Sequence, residues 1–326
     1  MAGVAAFVSL MSGMVTSSFA EAPPWQPHGT VEFIVPSTAS GSLDMTARNL
    51  KRLWQQRDLV KAPVIVQNKP GGGHAVALNF LSQHNGNANY IQVESPNLLL
   101  SNIVGRSAVT YTGVTPVCIL FTDYMAFAVS ADSPIKTGKD LVERLKKNPQ
   151  SLSIALSSAV GGTHHLATAL ALRAGGVDIR KLKLVAFQSS SKAVTALLGG
   201  HVDVVVASPS NVMPYMPQKL RVIAVSSPKR LPGAFSNIPT WKEQGYDAVF
   251  ANWRGIIAPK DIKPDELGFW QNVCQQTVGL DEFKKMLAPH LWVENYMGHT
   301  ETVKFMTDQY GQLKDLLIEL GLVKKK

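Results

Sequence analysis

The chain has 326 residues, 45% of them hydrophobic and 17% charged, which is enough for two domains with cores of their own. Its 32 Lys and Arg against 23 Asp and Glu give a formal charge of +9, which suits an anionic partner or simple solubility. No basic cluster is interleaved with aromatic residues, which argues against nucleic acid, and the terminal "KKK" at 324–326 reads as a solvated tail.

Residues 1–20, "MAGVAAFVSLMSGMVTSSFA", carry no charge and end in Ser18-Phe19-Ala20, a small-x-small pattern. The stretch is too short to span a bilayer with margin, and "EAPPWQP" follows it and cannot continue a helix. A secretory signal peptide is expected, although its basic opening is missing and the true start is then expected upstream. No later segment reaches membrane-spanning length, and no cysteine stands beside the cleavage pattern to take a lipid. The mature protein is therefore expected to be soluble and outside the cytoplasm. Cys118 and Cys274 show no metal-ligand spacing; a disulfide stays open for an exported protein, but two buried free thiols are the expectation.

Apolar runs that break at small residues and restart as helices recur along the chain. The first spans 31–54 ("VEFIVPSTASGSLDMTARNLKRLW"), and the second, 62–80, carries a glycine triplet ("APVIVQNKPGGGHAVALNF"). Further copies lie at 152–175, 183–200 and 202–216, the last with a shorter helix. Such alternation predicts an α/β fold with mostly parallel sheets and helices on both faces. Ligands then bind beyond the carboxyl ends of the strands, where these loops lie.

The loops share a chemistry. The first holds Ser37, Thr38, Ser40, Gly41 and Ser42, and the second Gly71, Gly72 and Gly73. The third holds Ser157, Ser158, Gly161, Gly162 and Thr163, the fourth Ser189 to Ser191, and the last Ser208 and Ser210. Hydroxyls and bare backbone at helix N-termini hold anions without using charge. Each loop alone is also an ordinary helix cap; the recurrence carries the reading. Nucleotides are excluded, because "GGGHAV" lacks the G-x-G-x-x-G spacing and no G-x-x-x-x-G-K-[ST] occurs.

Two segments read as crossings between lobes, near 125–131 and near 248–255. One lobe then comprises 26–125 and 255–326, and the other 126–254, with a hinged cleft between them. Asp44 is expected in the first helical turn, paired with Arg48 four residues on. His164 and His165 are adjacent and point apart, so they do not chelate one metal; His164 is expected toward ligand and His165 packed or exposed. His74, just after the glycines, is placed for polar contact. Arg254 in "NWRG" either clamps a carboxylate or ties the hinge together, with Trp253 as packing. There is no G-x-S-x-G, no H-E-x-x-H and no signature cysteine, so the chain is not expected to be an enzyme, a hydrolase included. No metal or cofactor is expected.

Seven motifs in order, "IVPSTASGSLDMTAR", "VIVQNKPGGG", "SPIKTGKDL", "LLGGHVDVVVAS", "LRVIAVSSPKR", "IPTWKEQGYD" and "NWRGIIAPKD", resemble the extracytoplasmic solute receptors of tripartite tricarboxylate transporters, the Bug or TctC family. "LDMTAR" with "NWRG" is most similar to the tricarboxylate-binding branch. The resemblance implies a two-lobed, Venus-flytrap periplasmic receptor, expected to be monomeric. Such a receptor hands a citrate-like tricarboxylate or a dicarboxylate to a membrane permease of one large and one small subunit. It also implies that the ligand is gripped by Ser37 to Asp44 and by Lys69 to His74, Pro70 included. The second lobe would close with Ser158 to Thr163, Gln188, Ser189, Ser190 and Ser208. The chain departs from the family pattern in its first loop, where Ser37 and a lone Gly41 stand in place of aromatic and further glycine residues. A receptor presenting its ligand to a sensor kinase would use the same fold.

Overall fold

The structure, a computed structural model, describes residues 25–39, 41–157, 160–187 and 189–323. The expected signal peptide at 1–20, Ser40, Ser158, Gln188 and the lysines at 324–326 lie outside the described residues. The first lobe opens with β1 (Val31–Val35), α1 (Ser42–Gln56), β2 (Val64–Asn68), α2 (Ala75–Ser82), β3 (Tyr90–Glu94), α3 (Asn97–Ile103) and β4 (Val114–Thr122). The chain then enters the second lobe as β5 (Ala126–Ser130), α4 (Gly138–Lys147), β6 (Ser153–Leu156) and α5 (Thr163–Ala174). That lobe continues through β7 (Lys183–Ala186), α6 (Ser190–Leu198), β8 (Val204–Ala207), α7 (Pro209–Val212) and β9 (Leu220–Val225). The return brings β10 (Trp253–Pro259), α8 (Pro264–Gly279), α9 (Asp281–Leu287), β11 (Val293–Met297) and α10 (His299–Glu319).

The strands form where apolar residues run without a break, because both faces of each sheet are covered; β5, β6, β8 and β10 are buried almost throughout. Helix α1 instead keeps Leu43, Ala47, Leu50, Leu53 and Trp54 inward at helical spacing. The Trp54 indole donates to Thr277 Oγ1 on α8 at 2.8 Å, which satisfies its one polar atom in the core.

The first sheet has the order β11-β4-β10-β3-β1-β2 and the second β7-β6-β8-β5-β9. The two sheets are mixed rather than mostly parallel. The β/α units pair in parallel (β1 with β2 and β3, β6 with β7 and β8). The strands next to the crossings, β4, β5 and β10, are antiparallel to their neighbours. The difference has a simple cause: a strand that leaves for the other lobe, or returns from it, has no crossover helix to reverse its direction.

The chain crosses at residues 123–125 and returns just before β10, near Asn252. The stretch after β9 still packs on the second lobe, where Thr240 bridges Val225 and Trp241 meets Phe127 edge-on, and Trp253 and Arg254 stand in the first sheet. The start of that stretch is stitched to the first crossing. Ser226 N–H donates to Met125 O at 2.9 Å, and Met125 N–H donates back to Ser226 Oγ at 2.9 Å. Helix α10 packs on α3 and β4 and reaches α5 of the second lobe, where Arg173 Nη1 meets Glu319 Oε2 at 2.9 Å.

Cys118 and Cys274 form a disulfide, with Cα atoms 6.7 Å apart. The free thiols expected from the sequence are therefore corrected. The pair is separated by 156 residues, and only the packing of α8 on β4 brings its members together, which spacing along the chain does not reveal. A bridge fits a protein that folds in an oxidising compartment. Closing so long a loop in the unfolded chain is expected to stabilise the fold by about 2–4 kcal/mol. Reductant, or Cys118→Ala with Cys274→Ala, should lower the melting temperature by about 5–10 °C. Unchanged melting would show that the bridge adds nothing.

Candidate functional site

A cavity of about 720 Å³ opens between the lobes. The first lobe contributes Ser37, Ser42, His74, Ser95 and Asn97, and the second Ser157, Thr163, His164, Ser189, Ser190 and Ser208. Asp123 and Asn252 of the crossings line its floor, with Arg254 at the start of β10 and His290 and Trp292 just before β11. Most of these residues stand at the carboxyl ends of parallel strands, where each loop delivers its hydroxyls to the next helix.

Two helices begin at this cavity from opposite lobes. The N-cap of α1 is Gly41 and that of α5 is Gly162, both with extended backbone and neither with a side-chain cap. First-turn N–H groups have no partner within their own helix, and a glycine cap brings no side chain to them, so such helix ends suit an anionic acceptor. Helix α6 differs, since Ser189 Oγ accepts from Lys192 N–H at 3.3 Å.

The floor is a buried ionic arrangement. Arg254 Nη1 donates to Asn252 O at 3.0 Å, to Asn252 Oδ1 at 2.9 Å and to Trp253 O at 2.9 Å. Its Nη2 donates to Ser42 Oγ at 3.3 Å and lies 3.7 Å from Asp123 Oδ2. Asp123 Oδ2 also accepts from Ser208 Oγ at 2.6 Å, and Asp123 N–H donates to Asn252 O at 3.1 Å. Burial pushes the Asp123 carboxyl above its usual range, with Arg254, Ser208 and His290 pulling it back. Burial likewise holds Arg254 below its usual value, opposed by Asp123 and Glu94. Of the two roles the sequence left open for Arg254, tying the crossing is visible in these bonds; the residue also lines the cavity.

The glycine triplet does something other than line the wall. Gly71, Gly72 and Gly73 have φ of 132°, 58° and 62°, and His74 follows at 85°. A Cβ on Gly73 would sit 2.9 Å from Ser101 Oγ and near Arg106, against α3. The triplet therefore makes a tight left-handed path that turns His74 into the cavity. His74 Nδ1 is 2.5 Å from Glu94 Oε1, and its Nε2 is 3.1 Å from Asn97 Nδ2. Glu94 is fully buried and also accepts from Ser95 N–H and Gln92 Nε2.

Of the residues singled out in the sequence, Ser37, Ser42, His74, Thr163, His164, Ser189, Ser190, Ser208 and Arg254 line this cavity. Thr38, Gly41, Asp44, Pro70, Gly71, Gly72, Gly73 and Gly162 are not among its lining residues. Asp44 instead accepts from Arg48 Nε and Asn68 Nδ2, both at 2.9 Å, which orders the first loop. Asp123, Asn97, Asn252, His290 and Trp292 were not singled out. Asp123 and Asn252 stand in the crossings, Asn97 opens α3, and His290 and Trp292 precede β11; only "NWRG" marked one of them.

Burial, with a further push from Arg254, lowers His164 to about 4; burial alone lowers His165 to about 4. His165 Nδ1 accepts from Gly161 N–H at 2.9 Å, which requires the unprotonated ring. Both rings are thus neutral in the folded state at pH 7, while their unfolded counterparts bind protons below about 6.5. The folded state should lose stability as pH falls from about 6.5 toward 4. Between pH 7 and 5, His165→Gln should lose about 1–2 kcal/mol less than the wild type in urea unfolding. Equal losses would overturn this assignment.

Several solved structures share this fold. A TctC solute binding protein from Polaromonas superposes with a TM-score of 0.77 at 24% identity, over 90% of this chain and 99% of that one. Rpa4515 of R. palustris, with adipate, gives 0.76 at 20% identity over 90% and 98%. MatC from Rhodopseudomonas palustris, with bound malate, gives 0.73 at 17% identity over 89% and 99%. The model of the TctC family, described as the tripartite tricarboxylate transporter family receptor, matches residues 48–322. With that match over most of its length, the chain belongs to the TctC family of solute-binding receptors.

Proposed function

We propose that this receptor captures a small di- or tricarboxylate in the cavity between its lobes and delivers it to a membrane permease. The observation that carries the reading is the pair of glycine-capped N-termini of α1 and α5, facing one cavity from opposite lobes. Two such ends suit two carboxylates of one molecule, each worth a charge-assisted set of backbone bonds. The surrounding Ser, Thr and Asn side chains add donors at no cost in charge burial. Each lobe holds part of the set, so ligand favours the closed arrangement over the open one. Adipate and malate in two relatives of the same fold support the ligand class. Export through the uncharged segment at 1–20 and transfer to a permease rest on the sequence pattern and on family membership.

A carboxylate panel tested by thermal shift should include at least one stabilising ligand. At a hundredfold over its dissociation constant the ligand should add about 2.7 kcal/mol, a shift of several degrees for a chain of this size. Refolded protein should be tested alongside, to remove ligand carried through purification. Stabilisation by sugars or cationic amino acids, with none by carboxylates, would overturn the proposal.

Ser42→Ala and Thr163→Val, one from each lobe, should each weaken binding about tenfold, a loss of about 1.4 kcal/mol. Affinity should change little between low and moderate salt, since enclosed contacts are poorly screened. Titration calorimetry at two salt concentrations reads both effects. A steep salt dependence with both variants at wild-type affinity would place binding on surface lysines instead.

A further inference from the structure

The cavity that receives an anion also contains a carboxylate of its own. Asp123 is 2% exposed and lines the cavity floor. One oxygen is committed, since Oδ2 accepts from Ser208 and faces Arg254 at 3.7 Å. The other, Oδ1, is buried and has no hydrogen-bond partner among the described residues. Buried acceptors in folded proteins are rarely left so, and each such atom calls for an explanation. Uncharged donors alone would make a site for any small carboxylate. Adding a fixed carboxylate to that site penalises ligands that offer it only another anion and rewards those that bring it a proton donor.

We propose that Asp123 is a specificity-determining residue that accepts a hydrogen bond from a hydroxyl or ammonium group carried by the bound carboxylate, so that the receptor selects donor-bearing acids over their plain counterparts. The inference rests on the carboxylate reading above. Geometry supports it from three sides. Asp123 sits on the first crossing between lobes whose helix N-termini supply the carboxylate donors. A donor group in the middle of a ligand that bridges those ends falls nearest the crossing. Ser208 holds Oδ2 in place from the second lobe, so the carboxylate has a defined orientation. The Arg254 guanidinium, already bonded to Asn252 and Trp253, balances the charge of Asp123 without satisfying Oδ1. Discrimination of this kind is strong, because a site built to bond a ligand hydroxyl or amine is left with an unpaired buried group when the analogue lacks it.

Matched ligands test the proposal on the purified full chain. Succinate, malate and aspartate share one four-carbon frame with hydrogen, hydroxyl or ammonium at one carbon; tricarballylate and citrate form the corresponding tricarboxylate pair. Calorimetry should show malate, aspartate or citrate binding about tenfold or more tightly than its plain counterpart. A preference for malate or citrate identifies a hydroxyl donor, and one for aspartate an ammonium. Asp123→Asn should abolish a preference for aspartate, since an amide oxygen no longer pairs with the charge. Asp123→Leu should abolish a preference for malate or citrate, and the wild-type series stands by itself if either variant fails to fold. Plain acids binding as tightly as their donor-bearing partners would overturn this inference and leave the carboxylate reading intact. Binding by none of the five, nor by adipate, would overturn both.

Discussion

The structure depends on how two buried charges are held where the chain passes between lobes. A guanidinium and a carboxylate removed from water cost several kcal/mol each unless their polar atoms are met. Arg254 meets part of this cost with three acceptors from Asn252 and Trp253 and with Ser42 at the start of α1, while its Nε has no partner among the described residues. Asp123 meets it with Ser208 at the start of α7 and with the nearby guanidinium. Four segments distant in sequence thereby share one network: the first loop, both crossings and the loop after β8. The floor of the cavity is therefore fixed by the same bonds that join the crossings, and the walls follow from where the helices leave it.

Much of this could be read from the sequence. The apolar runs at 31–35, 64–68, 153–156 and 204–207 became strands, because a strand covered on both faces needs no alternation of polar residues. Hydroxyls of the loops after them, and His74 after the glycine triplet, line the cavity, since loops at the carboxyl ends of parallel strands converge. What could not be read is what depends on distant partners. Asp123 follows an apolar strand with no motif around it, and its meaning appears only beside Arg254, 131 positions later by residue number. The bridge between Cys118 and Cys274 is of the same kind. The glycine triplet was visible in the sequence, but the conformation it takes was not. Its positive φ values serve the turn, and His74 is the group the turn delivers.

A cavity built from hydroxyls, amides and helix ends differs physically from one built from lysines. Backbone dipoles are fixed by the helices and lose no side-chain entropy on binding, whereas a lysine must be ordered along four rotatable bonds. The two histidines fit the same design, for burial keeps His164 and His165 neutral at pH 7. The floor brings one guanidinium against the nearby carboxylates of Asp123 and Glu94, so attraction for an anion comes from orientation more than from net charge. On the proposed reading, such a site rewards a ligand whose groups match the directions of its donors.

The lobes also meet through apolar contact. One cluster of buried residues runs from Leu98 and Leu99 of α3 through Leu313, Leu316 and Leu317 of α10 to Leu166 and Leu172 of α5. Its contacts are non-directional, so side chains slide past one another at little cost while staying out of water. The hydrogen-bonded floor has the opposite character, because its bonds hold only over a narrow range of distance and angle. Closure that preserved both would pivot about the crossings, with α10 sliding on α5 and the Arg173–Glu319 pair as its exposed, readily broken edge. The lobes are then tied firmly at the floor of the cavity and loosely where α10 meets α5.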